Sequence, residues 1–196
     1  MKRVLCAVLL AAAASQVFAA DVGIGVSVQS DDSWIYVPID FGSSFRLEPS
    51  IRYRDASSKS VSYDEFLNST ITLTADSDTT TYELGVGLFG LKQIGDSLRV
   101  YYGGRIAYID AKQELRFTTD FGIGDEQREE VETDGYRISP TLGFEYLFNE
   151  HFSIGAEAEW FYEDTESDRR VTDDPPSNAD AEVTGTDTRL IVRFRF

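Results

Sequence analysis

One short stretch of the chain has the residue types of a nucleophilic enzyme. Ser153 follows His151, the only histidine, at a spacing of two, and Glu163 and Glu166 lie further along. A histidine can act as general base for a serine nucleophile, and a carboxylate can orient the histidine. However, His151 lies in a short turn-like sequence, 149–151, and the alternation of the next segment turns Ser153 towards its polar side. We therefore interpret His151 as a turn residue and predict no catalytic site.

A second candidate site is the pair Glu157 and Glu159, because glycosidases catalyse hydrolysis with two nearby carboxyl groups. Their spacing places both on one face of a strand, but the same pattern brings many arginines to that face. The charged residues at these alternating positions are Arg46, Glu48, Arg52, Arg54, Glu83, Arg99, Arg105, Arg137, Glu145, Glu157, Glu159, Glu163, Arg189, Arg193 and Arg195. We predict that all of them except Glu163 form a structural ion network.

These charges must be positioned by strands, since alternation with a period of two is the strand pattern. It recurs in eight segments: 22–29, 34–41, 45–54, 81–90, 98–108, 136–148, 152–162 and 189–196. Each is close to the roughly 9–11 residues that cross a membrane as a tilted strand. Three prolines interrupt the pattern. Pro38 and Pro49 could lie at bulges, whereas the pattern offers no explanation for Pro140.

The links between the segments differ in length. Residues 42–44, 92–96 and 149–151 are short and turn-like, whereas residues 56–78, 117–132 and 165–186 are long, acidic and rich in Ser and Thr. In an up-and-down meander the two kinds of link fall at opposite ends. Short turns at one end and long external loops at the other are the layout of bacterial outer-membrane barrels.

Alternation alone does not decide which face lies inside, since a soluble barrel would alternate in the same way. Arginine is concentrated on the polar face, and its planar guanidinium suits enclosed ion networks with carboxylates. Glycines on the same face would leave room for long side chains in a narrow bore. Aromatic residues gather near the strand ends: Phe41, Phe45, Tyr146, Phe148 and Phe152 at one, Tyr53, Tyr82, Tyr108, Tyr136, Trp160 and Tyr162 at the other. We therefore predict a polar lumen, with the apolar face towards lipid.

Composition narrows the function. The net charge is −16, from 18 basic and 34 acidic residues, which argues against nucleic acid as a partner. One cysteine and one histidine exclude a Cys/His metal cluster and an internal disulfide. Residues 1–20 read as a secretory signal peptide, with Lys2 and Arg3 before an apolar run and cleavage after Ala20. The remaining residues, 21–196, form one predicted barrel domain.

Together with the terminal sequence RLIVRFRF and the stretch RLEP at 46–49, these features resemble the small outer-membrane β-barrel family of the OmpA/OmpX type. The resemblance implies an all-β, eight-stranded, transmembrane up-and-down barrel in the bacterial outer membrane. It also implies that Phe196 is a signal for the barrel-assembly machinery. We expect a monomer without enzymatic activity, cofactor or metal. It would contact outer-membrane lipids and lipopolysaccharide, and would serve envelope structure or surface interaction through its acidic loops, with a surface ligand that the sequence does not identify.

Three alternatives stay open at this point. Some eight-stranded barrels modify lipid A with a His-x-Ser motif and a downstream Glu, which His151, Ser153 and Glu163 or Glu166 resemble in part. A narrow ion channel could run through the polar lumen. A soluble, lipocalin-like binder would turn the apolar face inward.

Overall fold

The strands account for almost all of the chain that the structure describes. A computed structural model describes residues 20–28, 33–66, 69–119, 126–171 and 175–196. The strands are β1 (Ala20–Ser27), β2 (Ser33–Tyr36), β3 (Ile39–Phe41), β4 (Phe45–Phe66), β5 (Ser69–Ile94), β6 (Leu98–Thr119), β7 (Glu126–Leu147), β8 (Phe152–Val171) and β9 (Ser177–Arg195). The predicted signal peptide lies outside the described residues, apart from Ala20. Within the described ranges, no helix is long and apolar enough to cross a membrane.

The strands close into a ring. Each pairs antiparallel with its neighbour, and β1 also pairs with β9, with Gly23 opposite Arg195. β2 and β3 lie in line between β1 and β4 and keep one register, since Tyr36 faces Ser50 and Ile39 faces Leu47. They act as one interrupted strand, so the described residues form a ring of eight. The predicted fold class, an antiparallel up-and-down barrel of eight strands, is confirmed.

The prolines account for the interruptions in the ladders. Pro38 lies in the break between β2 and β3, where its carbonyl still accepts the Gly23 N–H at 2.9 Å. Pro140 pairs with Gly104 of β6, but the β7–β8 ladder omits Ser139 and Pro140. The register is the same on both sides of each gap, so neither proline creates a bulge. The missing N–H of Pro140 falls on the β8 side, where two ladder positions are lost.

Short turns join the strands at one end of the ring. Gly42 and Gly95 adopt positive φ angles of 62° and 68° in two of them, a conformation that side chains disfavour. Ala20 and Phe196 lie at the same end, where the Phe196 N–H donates to the Val22 carbonyl at 2.9 Å. An even number of strands requires this placement of the two ends.

The opposite end corrects the prediction of long loops. Residues 56–66, 69–78, 117–119, 126–132, 165–171 and 177–186 of the predicted loops are strand, because their arms pair in unbroken register, from Phe45 opposite Gly90 to Phe66 opposite Ser69 in the first hairpin. Residues 67–68, 120–125 and 172–174 lie outside the described residues. The longest strand, β5, has 26 residues. At about 3.3 Å per residue and a tilt of about 40°, it rises more than twice the roughly 25 Å of an outer-membrane apolar band.

The two faces of the wall show which side meets lipid. Leu142 and Leu190 are 59% and 55% exposed, whereas Glu145 and Arg193 are fully buried at 0%. The apolar face is therefore outside, as predicted, and the soluble-barrel alternative has the wrong sidedness. On β7 this apolar belt extends over eleven residues from Tyr136 to Tyr146, about 25 Å of height at a tilt of about 40°.

Aromatic rings line both limits of the belt. Near the short turns, ring centroids are 5.0–5.9 Å apart in the pairs Phe41–Phe45, Tyr146–Phe148, Phe148–Phe152 and Phe152–Phe194. At the other limit, which we call the outer girdle, the Tyr53 and Tyr82 rings lie 5.1 Å apart. Six strands continue beyond the outer girdle. We call this part the projection; it comprises residues 54–66, 69–81, 109–119, 126–135, 164–171 and 177–185.

Candidate functional site

The interior ion pairs nearest the short turns form a cluster that we call the lower layer: Asp40, Arg46, Arg99, Glu145 and Arg195. Arg46 binds Asp40 as a fork, with Nε–Oδ1 at 2.6 Å and Nη2–Oδ2 at 3.1 Å, and donates to Glu145 Oε2 at 3.1 Å. Arg99 Nη1 donates to Asp40 Oδ2 at 2.8 Å. Arg195 pairs with Glu145 and, at 3.5 Å, with Asp40. Each carboxylate is thus shared by arginines from several strands.

The middle layer consists of Glu48, Arg105, Glu157 and Arg193, with the hydroxyl of Tyr101. Arg105 bridges two carboxylates, with Nη2–Oε1 of Glu48 at 2.9 Å and Nη1–Oε1 of Glu157 at 3.1 Å. Arg193 Nη2 donates to Glu48 Oε2 at 3.1 Å, and the Tyr101 hydroxyl donates to Glu157 Oε2 at 3.2 Å. These bonds connect strands on opposite sides of the ring, so they fill the bore.

The upper layer lies under the outer girdle and consists of Arg52, Glu83, Arg137, Glu159, Glu163, Asp187 and Arg189. Arg189 pairs with Glu159 and donates to Asp187 Oδ2 at 3.0 Å. Arg137 lies 3.3 Å from Glu163, 3.6 Å from Glu159 and 3.9 Å from Glu83, which also pairs with Arg52. Arg105 Nη1 reaches Glu159 Oε2 at 3.3 Å, so the middle and upper layers are continuous.

The three layers balance in formal charge. In the described chain their members are eight arginines and eight carboxylates: Arg46, Arg52, Arg99, Arg105, Arg137, Arg189, Arg193 and Arg195 against Asp40, Glu48, Glu83, Glu145, Glu157, Glu159, Glu163 and Asp187. Isolated buried charges are costly, whereas paired and hydrogen-bonded charges are tolerated. The balance therefore explains how so narrow a bore can hold so many ions.

Buried aromatic rings fill the space between the ions, a feature that the sequence analysis missed. Trp34 stacks on Tyr36 at 6.1 Å, and Phe89 meets Tyr101 edge-on at 5.6 Å. Guanidinium groups lie over these rings in the pairs Arg52–Trp34, Arg189–Trp34, Arg105–Tyr36, Arg105–Phe89, Arg46–Tyr101 and Arg193–Tyr101, at 5.0–5.5 Å. Such cation–π contacts favour arginine over lysine. The sequence contained enough information to find these rings, since all four aromatic residues occupy positions of the alternation that turn inward.

The interior glycines leave space for some of these aromatic rings as well as for the charged side chains. A Cβ on Gly143 would overlap the ring of Tyr101, and one on Gly87 would overlap the ring of Phe89. Only Gly25 stands directly against an arginine stem, where its Cβ would lie 3.0 Å from Arg193 Cγ. A Cβ on Gly23, Gly103 or Gly155 would instead fall closest to a backbone carbonyl oxygen of a neighbouring strand. The described interior glycines therefore make room for rings and for close strand packing as well as for the long charged chains that the sequence suggested.

Four residues differ from the sequence prediction. Glu163, which was left out of the predicted network, and Asp187, which was not among the candidates, both belong to the upper layer. Arg54 is exposed, because it lies beyond the outer girdle, where the wall above β2 has ended. Asp40, which was not among the predicted network residues, is buried and pairs with three arginines. Its alternation with Ile39 and Phe41 would have placed it inside. The other predicted network residues lie in the three layers described above.

The enzyme-like residues are far apart. The Ser153 hydroxyl donates to Glu145 Oε1 at 2.6 Å, whereas His151 Nδ1 lies 3.2 Å from the Arg195 carbonyl oxygen. Glu163 lies ten residues beyond Ser153 on the same strand, about 33 Å away. The structure thus does not assemble the His-x-Ser triad. Among the described residues, no group of three or more His, Cys, Asp and Glu side chains could hold a metal ion.

The projection is charged and exposed. Lys112 pairs with Glu130, and Arg169 holds Glu129 with Nε–Oε1 at 2.5 Å and Nη2–Oε2 at 2.8 Å. The hydrogen bond from Lys112 raises the pKa of its own ammonium group and lowers the pKa of the Glu130 carboxyl. Both groups are exposed, so water screens the pair and its effect on stability is small.

Comparisons with known proteins concern the fold. No protein-family model and no curated protein matches the chain significantly. A major outer membrane protein of Thermus thermophilus is similar in structure, with a TM-score of 0.55 and 9% identity over 91% of this chain and 100% of that chain. The structure of Neisserial surface protein A is matched with a TM-score of 0.48 and 14% identity, over 90% and 94% of the two chains. The closed ring, its apolar belt and the Thermus likeness show that the chain has the fold of a small bacterial outer-membrane β-barrel.

Proposed function

We propose that the protein is a non-enzymatic, monomeric outer-membrane barrel that acts at the cell surface through its projection. The observation that carries this proposal is the contrast between the two parts of the barrel. Within the belt, the described side chains fill the interior with paired ions and rings. Beyond the outer girdle, long hairpins present exposed charged side chains. The lower part serves as the support and the projection as the contact surface.

The proposed partners within the envelope follow from the outer surface. The belt and its aromatic limits suit contact with membrane lipids and with lipopolysaccharide. Phe196, 79% exposed, follows the last strand at the short-turn end, and we propose that the barrel-assembly machinery recognises it there. We propose these contacts as the route by which the chain reaches and stays in its membrane.

A variant that lacks one external hairpin tests the proposal. In the register of the first hairpin Ser57 faces Asp78, so residues 58–77 can be replaced by Asn-Gly, a favoured two-residue turn. Cells expressing either protein are applied to an array of extracellular proteins, glycans and lipid vesicles. We expect binding by wild-type cells that the variant loses while its barrel remains heat-modifiable in detergent gels. Equal binding by both proteins, or by neither, would refute a surface role for this hairpin.

The lipid A-modifying alternative makes the opposite prediction about His151. If the protein were such an enzyme, His151→Ala would change the lipid A mass profile of cells that express it. We expect no change, since His151 is not bonded to Ser153 in the structure and Ser153 donates to Glu145. A profile altered by the wild-type protein and restored by His151→Ala would establish the enzyme instead.

A further inference from the structure

The wall of the projection is incomplete. β2 ends against β4 at Ser33 opposite Tyr53, and β1 ends against β9 at Ser27 opposite Ile191. Beyond those points β4–β9 continue as a curved six-stranded sheet. Among the described residues, the part of β4 in the projection pairs only with β5, and residues 177–185 of β9 pair only with β8. The projection therefore has two open edges.

The gap between these edges is two strands wide. In the ring below, β1 and β2 stand between β9 and β4, so the two edges are three strand spacings apart, about 14 Å. The link from Val28 to Ser33 contains four residues, too few to run up and back along edges of nine or more residues. Ala20 lies at the opposite end of the barrel. Two added strands would complete the ring.

The register shows which backbone groups face the gap. The Val28 N–H donates to the Leu190 carbonyl at 2.8 Å, so even-numbered residues of β9 direct their backbone groups away from β8. The β8–β9 ladder is unbroken from Phe152–Phe194 to Arg169–Ser177, so the same parity holds along the whole edge. On β9 the residues that direct their backbone N–H and C=O groups into the gap are Asn178, Asp180, Glu182 and Thr184.

The opposite edge follows the same logic with odd numbers. The Val37 N–H donates to the Pro49 carbonyl at 2.8 Å, so odd-numbered residues of β4 face away from β5. Asp55, Ser57, Lys59 and Val61 therefore direct their backbone groups into the gap from the other side. The two edges differ in charge, since Asp55 and Lys59 on β4 carry opposite charges whereas Asp180 and Glu182 on β9 are both acidic.

The chemistry around β9 selects the partner. Natural edges are protected by proline, by charged side chains, especially lysine, or by a bulge. Residues 177–185 of β9 contain no proline, lysine or bulge, and their protection comes from the negative charge of Asp180 and Glu182. Asp180 and Glu182 flank the edge, and Asp164, Glu166 and Asp168 lie beside them on β8. Like charge disfavours pairing of this edge with the same edge of a second copy. Opposite charge favours an extended segment that carries lysine or arginine.

We propose that the projection binds a basic β-hairpin of a partner protein, which adds one strand to β9 and one to β4 and completes the wall. This deepens the proposed surface role and rests on it. Main-chain hydrogen bonds to the two edges supply the attachment, and the carboxylates beside β9 select basic side chains. The partner lies outside the cell, since the projection extends from the end of the barrel opposite the short turns.

A synthetic hairpin of alternating Thr and Lys, closed by a disulfide, tests this proposal. Its binding to the purified protein in lipid nanodiscs is measured by fluorescence anisotropy. Glu182→Pro removes one N–H from the open edge and leaves the β8 ladder intact, whereas Glu182→Gln removes only the charge. Glu132→Gln, on the exposed outer face of β7, controls for charge elsewhere. We expect binding to weaken at least tenfold with Glu182→Pro, a few-fold with Glu182→Gln, and not with Glu132→Gln.

The peptide provides its own controls. A hairpin with Glu in place of Lys, and one with N-methylated backbone amides on the strand that meets β9, are both expected to bind at least tenfold more weakly. If neither N-methylation nor Glu182→Pro changed the affinity, the peptide would be held by charge attraction alone, and the proposal would be overturned. The absence of any binding would overturn it as well. Disulfide-linked dimers of a Thr184→Cys variant without peptide would also overturn it, since a second copy would then occupy the edge. None of these outcomes alters the hairpin-replacement test of the surface role.

Discussion

Glu48 shows at the level of single residues how the interior depends on pairing. It accepts hydrogen bonds from Arg105 and Arg193 at 2.9 and 3.1 Å, and Arg46 lies 3.8 Å away. Removing one partner of a buried ion pair leaves uncompensated charge and costs about 3–5 kcal/mol. We therefore predict that Glu48→Gln lowers the free energy of unfolding by about that amount, measured by urea titration of the barrel in lipid vesicles.

Glu132→Gln is the matched control for this prediction. Glu132 pairs with Arg170 at 3.5 Å on the exposed face of the projection, where water screens the interaction. Its substitution is expected to leave the urea midpoint unchanged. Similar losses for the two variants would mean that the interior charges do not stabilise the barrel in the way described.

Two adjacent glycines give a second test at the residue scale. A Cβ on Gly103 would fall on the backbone carbonyl of Leu88, whereas a Cβ on Gly104 would meet nothing closer than the Ser139 carbonyl oxygen at 3.6 Å. We predict that Gly103→Ala destabilises the barrel by about 1–3 kcal/mol, the usual cost of overpacking. Gly104→Ala should unfold at the wild-type midpoint or slightly above it. The reverse order of stability in urea would contradict the close packing of β5 on β6.

Alternation predicted most of the interior residues but not their surroundings. Arg46, Arg105 and Arg193 could be assigned to one face because a strand turns every second side chain to the same side. Asp40 was missed because a single acid between apolar residues adds little to a pattern. The inward rings were missed because an aromatic residue suits either face of a strand, and only the three-dimensional arrangement shows arginines over Tyr36 and Tyr101.

The lengths of the strands show where the prediction of secondary structure from the sequence fails. Residues 56–78 are rich in Ser, Thr and Asp, a composition typical of loops, and yet the described residues among them, 56–66 and 69–78, pair as two strand arms without a break. Strand formation there depends on cross-strand pairing, which a single segment does not reveal. Pro140 was unexplained for a similar reason. Only the pairing of the strands shows that its nitrogen, which carries no hydrogen, faces β8 where the β7–β8 ladder is interrupted.

At the scale of elements, the barrel within the belt is expected to fold without the first external hairpin. The ion layers and the apolar belt lie below the outer girdle, and the replaced residues 58–77 lie above it. We predict that this variant migrates in detergent gels as a compact species before heating and as an unfolded chain after heating, as the wild type does. Loss of the compact species would show that the projection is required for folding.

For the molecule as a whole, the filled bore predicts an electrically silent barrel. Eight strands leave an interior that side chains can fill, and here paired ions and rings occupy it through all three layers. We predict no steady current through planar bilayers that contain the wild-type protein, under conditions in which a wide porin conducts. Steady openings, altered by Arg105→Ala, would show instead that a narrow ion path runs between the layers.

The sidedness of the wall is the central claim, and cysteine scanning tests it most directly. In a chain that starts at residue 21 and so lacks Cys6, single cysteines are placed at Leu84, Leu142 and Leu190 in the belt and at Ser50, Ser139 and Ser153 inside. Each variant is refolded in lipid vesicles and spin-labelled. We predict that the three belt sites collide with lipid-dissolved oxygen and not with an aqueous nickel complex, while the three interior sites resist labelling. Belt sites that collide with nickel, together with interior sites that meet oxygen, would contradict the account.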